Sequence, residues 1–188
     1  TPVLGGFQAG VSYTPDIART ASRDITGVGS VTSTTRNAWD FAGRYEGALA
    51  GVNVVAGAGY TLAPVEDETT TVKDRQAWNA GLDLGLGAFG LGVAYTTDDM
   101  GTANDEVQNW VVGADYTTGP FTLGVSYLNQ DDTDGTDVKT DRYTGGVTYA
   151  YGPGMSFRGS VSYVDHDIAA TTDDVSGTAV MLGTQVNF

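Results

Sequence analysis

Large apolar residues alternate with small or polar ones along most of this chain. That is the two-residue period of a β-strand whose two faces meet different surroundings. The pattern is clearest from Trp78 to Tyr95, WNAGLDLGLGAFGLGVAY, and recurs without a gap from Trp110 to Tyr127, WVVGADYTTGPFTLGVSY. Trp78/Trp110, Gly81/Gly113, Asp83/Asp115, Gly87/Gly119, Phe89/Phe121, Leu91/Leu123, Gly92/Gly124, Val93/Val125 and Tyr95/Tyr127 are identical pairs. Each copy breaks once, at Gly85-Leu86-Gly87-Ala88 or Thr117-Thr118-Gly119-Pro120, so each reads as a β-hairpin with a tight turn. Looser copies run from Trp39 to Tyr60, turning near Gly47–Gly51, and from Tyr143 to Tyr163, turning at Gly152-Pro153-Gly154. With Leu4–Tyr13 and Thr178–Phe188 at the ends, the alternation predicts about ten antiparallel strands and an all-β fold.

The aromatic residues are spaced with the same period. Phe7 and Tyr13, Trp39 and Tyr45, Phe89 and Tyr95, Trp110 and Tyr116, Phe121 and Tyr127, Tyr143 and Tyr149, and Phe157 and Tyr163 are each six residues apart. An even spacing puts both members on one face of a strand. Six residues in a strand tilted about 40° span on the order of 15 Å along a barrel axis. Two aromatic rows bracketing an apolar band suit a transmembrane β-barrel, because Tyr and Trp are stable where hydrocarbon meets water. As framed by the alternation, the aromatic face carries no Asp, Glu, Lys or Arg. Connections alternate between long and short, and most of the 23 acids fall in the long ones. Outer-membrane barrels sort their loops in this way. A soluble β-sandwich would explain the alternation but not the paired aromatic rows.

Composition narrows the picture further. The length fits one domain over residues 1–188. A net charge of −14 argues against nucleic-acid binding, which needs Lys and Arg to neutralise phosphates. Cys is absent, which removes disulfides and thiolate metal sites. Gly is about twice its usual share, with 27 residues. Much of it lies on the non-aromatic face, among Ser, Thr and Asn. A narrow barrel packs its interior with side chains, and these residues are too small to do so, which favours an aqueous channel. Asp40, Arg44, Asn79, Asp83, Asn109, Asp115, Arg142 and Arg158 are the candidate pore-lining residues by strand parity. The charged ones would either bias ion entry or pair with one another in the wall, the three Arg with Asp40, Asp83 and Asp115.

Two other constellations are candidates for chemistry. Asp132, Asp134 and Asp137 around Gly135 resemble part of a calcium loop, against the simpler reading of a solvated acidic loop. Asp165-His166-Asp167 holds the single His. With Asp98-Asp99 it could make an Asp–His and Asp–Asp arrangement that activates water. That reading belongs to the alternative function, a small ten-stranded surface barrel acting as a protease or adhesin. No serine-nucleophile motif, phosphate loop or zinc spacing is present.

The chain resembles the C-terminal part of a bacterial outer-membrane general porin of the sixteen-stranded, trimeric type. Thr1-Pro2-Val3-Leu4-Gly5-Gly6-Phe7-Gln8-Ala9-Gly10-Val11-Ser12-Tyr13 is similar to the turn and strand that follow the constricting loop. Gly183-Thr184-Gln185-Val186-Asn187-Phe188 is similar to the final strand, whose terminal Phe is read during barrel assembly. The resemblance implies an integral outer-membrane homotrimer, in contact with lipid and lipopolysaccharide. It implies passive diffusion of small hydrophilic solutes and ions through it, with no cofactor and no enzymatic step. It also implies that six strands and the constricting loop precede Thr1.

Overall fold

The structure is a computed structural model that describes residues 3–15, 37–65, 72–103, 106–133, 137–169 and 175–187. Ten strands make up its regular structure: β1 (Phe7–Thr14), β2 (Ala38–Leu49), β3 (Val52–Ala63), β4 (Arg75–Leu86), β5 (Phe89–Asp98), β6 (Val107–Thr118), β7 (Phe121–Asp132), β8 (Val138–Gly152), β9 (Met155–Ile168) and β10 (Val175–Val186). They form one sheet in the order of the sequence, every neighbour antiparallel. Among the described residues β1 pairs only with β2, and β10 only with β9.

Four tight turns close the hairpins. Between β2 and β3, Ala50 and Gly51 both have positive φ, 50° and 85°, the signature of a type I′ turn whose twist matches the strands. Gly87 and Gly119 take positive φ at the first central position of the next two turns. Pro153-Gly154 sets the last, with Gly154 at φ 73°. The β2–β3 turn is tighter than the Gly47–Gly51 stretch expected, because the strands pair all the way to Leu49 and Val52.

Among the described residues no second layer covers this sheet. Strands touch only their sequence neighbours, and the buried described residues are Ala38, Ala63, Thr97 and Ser162. A sandwich would bury one face of each strand, so that alternative fails. Instead, one face exposes Val11, Phe41, Leu91, Val125, Val161 and Leu182. An apolar surface of this kind between two aromatic rows suits burial in lipid.

The aromatic side chains of that face meet across strands in two rows. On the side of the tight turns, Phe7 packs on Tyr45, Phe89 on Tyr116, Phe121 on Tyr149 and Tyr151 on Phe157, with ring centroids 4.7–4.8 Å apart. On the side of the long connections, Tyr13 meets Trp39, Tyr95 lies between Trp78 and Trp110, and Tyr127 meets Tyr143. Each such pair is worth about 0.5–1.5 kcal/mol beyond area burial, so the rows also pin strand register.

The strands run past the outer aromatic row, which corrects the sorting of acids. Asp98, Asp131, Asp132, Asp165 and Asp167 are strand residues, not loop residues. Asp131, Lys139, Asp141, Asp165 and Asp167 share the parity of the aromatic face. The expectation of a charge-free face therefore holds between the rows and fails beyond them. There Tyr127 donates from its hydroxyl to Asp141 Oδ1 at 2.5 Å, and Lys139 lies 3.8 Å from Asp131. Alternation stops where both faces meet water, while backbone pairing continues.

Candidate functional site: the polar face of the sheet

Register assembles the other face from rows of residues that lie side by side across the strands. One row reads Asp83, Gly92, Gly113, Ser126, Thr144, Ser162. The next reads Gly90, Asp115, Gly124, Gly146, Ser160, and the one beyond it Thr117, Thr122, Thr148, Arg158, Gly183. Glycines here make room. A Cβ at Gly90 would overlap the Asp115 carboxylate, and one at Gly59 would come within 3.0 Å of Asn79 Nδ2. Acid and amide side chains thus lie flat over their glycine neighbours rather than crossing the interior.

All eight expected pore-lining residues lie on this face, in different environments. Asp40 accepts bonds from Ser12 Oγ at 2.9 Å and Thr61 Oγ1 at 2.7 Å. Asn109 Nδ2 donates to Thr96 Oγ1 at 3.1 Å, in the same row as Asn79. Arg142 Nη2 lies 3.4 Å from Ser162 Oγ, which is itself 3.0 Å from Thr144 Oγ1. Arg44 pairs at 2.8 Å with Glu46, two residues along its own strand. Among the described residues, Asp83, Asp115 and Arg158 have no side-chain hydrogen-bond or ion-pair partner. The wall pairs expected between the three Arg and Asp40, Asp83 and Asp115 do not form. Asp40 is served by hydroxyls, and Arg44 takes the nearer Glu46.

Glu46, Arg75, Asp98 and His166 share this face and were not anticipated there. Parity alone places Glu46 here, next along from Asp40 and Arg44 on the same face of β2. Arg75 clasps Asp98 through Nε at 2.9 Å and Nη2 at 2.5 Å, at the long-connection end and beyond the outer aromatic row, outside the hydrocarbon span. The two-pronged guanidinium bond holds the Asp98 carboxyl below its ordinary range and raises Arg75, against a smaller opposing effect of burial. A depressed carboxyl pKa stabilises the fold above the ordinary carboxylate range and loses that contribution as pH falls through the lowered value. Arg75 is 43% exposed, so solvent screening limits the pair. Asp98→Asn should cost less than about 1 kcal/mol in urea unfolding at neutral pH, and the difference from wild type should vanish in acid.

The candidate protease constellation does not assemble. His166 Nδ1 lies 2.7 Å from Thr140 Oγ1 on the polar face, whereas Asp165 and Asp167 point to the other. Asp98 is held by Arg75, and Asp99 Oδ1 accepts from the backbone of Gln76 and Gly101. β5 and β9 are four strands apart, about 19 Å at normal strand spacing. For the calcium loop, Asp132 ends β7 and Asp137 precedes β8, while Asp134 lies outside the described residues. Among the described residues no three His, Asp or Glu side chains cluster to hold a metal.

Solved structures with a similar arrangement include a porin and another outer membrane protein. A porin refined at 1.8 Å resolution superposes with a TM-score of 0.64 at 18% identity, covering 100% of this chain and 60% of its own length. The loop L8 deletion mutant of OmpT, an outer membrane protein of Vibrio cholerae, gives 0.58 at 17% identity, with 97% and 65% covered. This chain therefore spans less than two thirds of either protein. No curated protein matches it in sequence. The family model for Gram-negative porins matches residues 1–169, nine tenths of a sheet already sorted into an aromatic-banded face and a glycine-and-hydroxyl face. The chain belongs to the Gram-negative porin family and has an all-β, barrel-type fold integral to the outer membrane.

Proposed function

We propose that this chain forms part of the wall of a water-filled channel for passive diffusion of small hydrophilic solutes and ions. In this reading further strands pair along β1 and β10 to close the barrel, and three copies assemble in a bilayer containing lipopolysaccharide. No step is enzymatic, and no cofactor is needed. The observation that carries the reading is the polar face. It places unpaired charges and hydroxyls above glycine, which neither fills the interior nor repels water, and channel walls in wide barrels are of this kind. The protease alternative would need His166 near a carboxylate pair, and the geometry separates them.

The test is conductance. The full-length protein, purified in detergent and added to planar bilayers, should give discrete current steps that grow in proportion to salt concentration. Protein that inserts and shows the heat-modifiable mobility of a folded barrel, yet conducts nothing, would overturn the reading.

A further inference from the structure

A hollow on the polar face between β4 and β10 has unpaired charges of opposite sign toward its two ends. It encloses about 620 Å³, and its lining includes Asp83, Asp115, Ser126, Thr144, Thr148 and Arg158. Its floor is glycine: Gly92, Gly113, Gly124 and Gly146 lie between the acids on β4 and β6 and the guanidinium on β9. None of the three charged groups has a partner among the described residues, and neither do the Ser126 and Thr148 hydroxyls. Charged groups of opposite sign on one wall normally find each other if their stems reach. Here the separation forbids it. Asp115 and Arg158 are three strands and two residues apart, roughly 16 Å between Cα atoms. The Asp115 carboxylate lies over Gly90, on the side away from β9, so with the guanidinium extended toward it the charges are on the order of 14 Å apart.

We propose that this hollow is a binding shelf for short zwitterionic peptides, which rests on the channel reading above. An extended chain spans about 3.3–3.6 Å per residue, so a tripeptide covers roughly 10 Å and, with a charge-assisted hydrogen bond of about 2.8 Å at each end, bridges on the order of 15 Å. Its ammonium then meets Asp83 and Asp115 while its carboxylate meets Arg158, where a planar fork suits two-pronged binding. Peptide N–H and C=O groups in between face the free hydroxyls. The glycine floor lets the backbone lie close to the wall. A single amino acid is too short to engage both ends, and a singly charged solute of the same length engages one.

Triglycine serves as the probe, in planar bilayers holding the full-length channel. Each variant is scored by the fraction of its own open current that the peptide interrupts. Triglycine should interrupt current saturably. Free glycine should do so about tenfold less at equal concentration, the loss expected from one missing charge-assisted contact, and N-acetyl-triglycine amide, which lacks both charges, about a hundredfold less. Arg158→Gln, and separately Asp83→Asn with Asp115→Asn, should each weaken the triglycine effect about tenfold, to the level of free glycine. Arg158→Lys, which keeps the charge and most of the volume, should retain part of it. Equal interruption by triglycine and its blocked form, or no loss in either neutral variant, would overturn the shelf and leave the channel standing. A folded protein that never conducts would overturn the channel reading and the shelf together.

Discussion

Val93→Arg is expected to destabilise the folded protein in lipid vesicles by about 2–4 kcal/mol, whereas Ala94→Arg next to it is tolerated. Val93 lies on the aromatic face, between Phe89 and Tyr95, where the rows leave only apolar residues. Its cross-strand neighbours are Leu82 and Val112, so a guanidinium there has no polar partner within the band. Ala94 points to the opposite face, between Gly81 and Val111, where water solvates the charge. The predicted loss is a drop of roughly 30- to 700-fold in the folded-to-unfolded ratio. Urea unfolding monitored by tryptophan fluorescence measures it. Both variants behaving alike would contradict the assignment of the two faces to lipid and water. If Ala94→Arg were the damaging one, the faces would be reversed.

How far the chain could be read before its structure follows from where side chains decide and where the backbone does. Between the aromatic rows, strict alternation sorts large apolar residues to one face and small or polar ones to the other. Trp78, Tyr95, Trp110 and their partners accordingly fell on the expected face, and all eight expected pore-lining residues on the other. Beyond the rows that constraint ends. Asp98, Asp132 and the Asp165-His166-Asp167 run look like loop, yet the ladder of backbone hydrogen bonds carries them as strand. Pairing was less legible than parity. Choosing Glu46 over Asp40 as the partner of Arg44 needs distances along and across the strand, and those appear only once register is known. Likewise, the Arg75–Asp98 clasp joins the first residue of β4 to the last of β5; the alternation starts a strand at Arg75 but ends the next at Thr96, short of Asp98. The tilt of an Asp over its glycine neighbour also depends on register, since Gly90 lies opposite Asp115 only in the folded sheet.

The same register makes a second large prediction, on ion selectivity. The described polar face carries Asp40, Glu46, Asp83, Asp98, Asp115 and Asp132 against Arg44, Arg75, Arg142 and Arg158, so the wall should favour cations. A unit charge about 8 Å from a passing ion in water contributes roughly 0.5 kcal/mol, about a twofold change in local ion concentration. Screening removes most of this at 1 M salt, where the Debye length is about 3 Å, and little at 0.01 M, where it is about 30 Å. Asp83→Asn with Asp115→Asn should therefore move the reversal potential toward anions, up to about fourfold in permeability ratio at 0.01 M. Arg158→Gln should move it about twofold toward cations, and replacing Arg44, Arg142 and Arg158 together with Ser should move it further the same way. Arg44→Ser with Glu46→Ser should leave it near wild type, because removing both members of a 2.8 Å pair removes no net charge from the wall. The measurement is the zero-current potential across a planar bilayer with a tenfold salt gradient, repeated at high salt. If the double Arg44/Glu46 variant shifts as far as Arg158→Gln, that pair does not hold in the open channel. If none of the variants shifts at low salt, selectivity is set away from these ten strands, and their charges serve the wall alone.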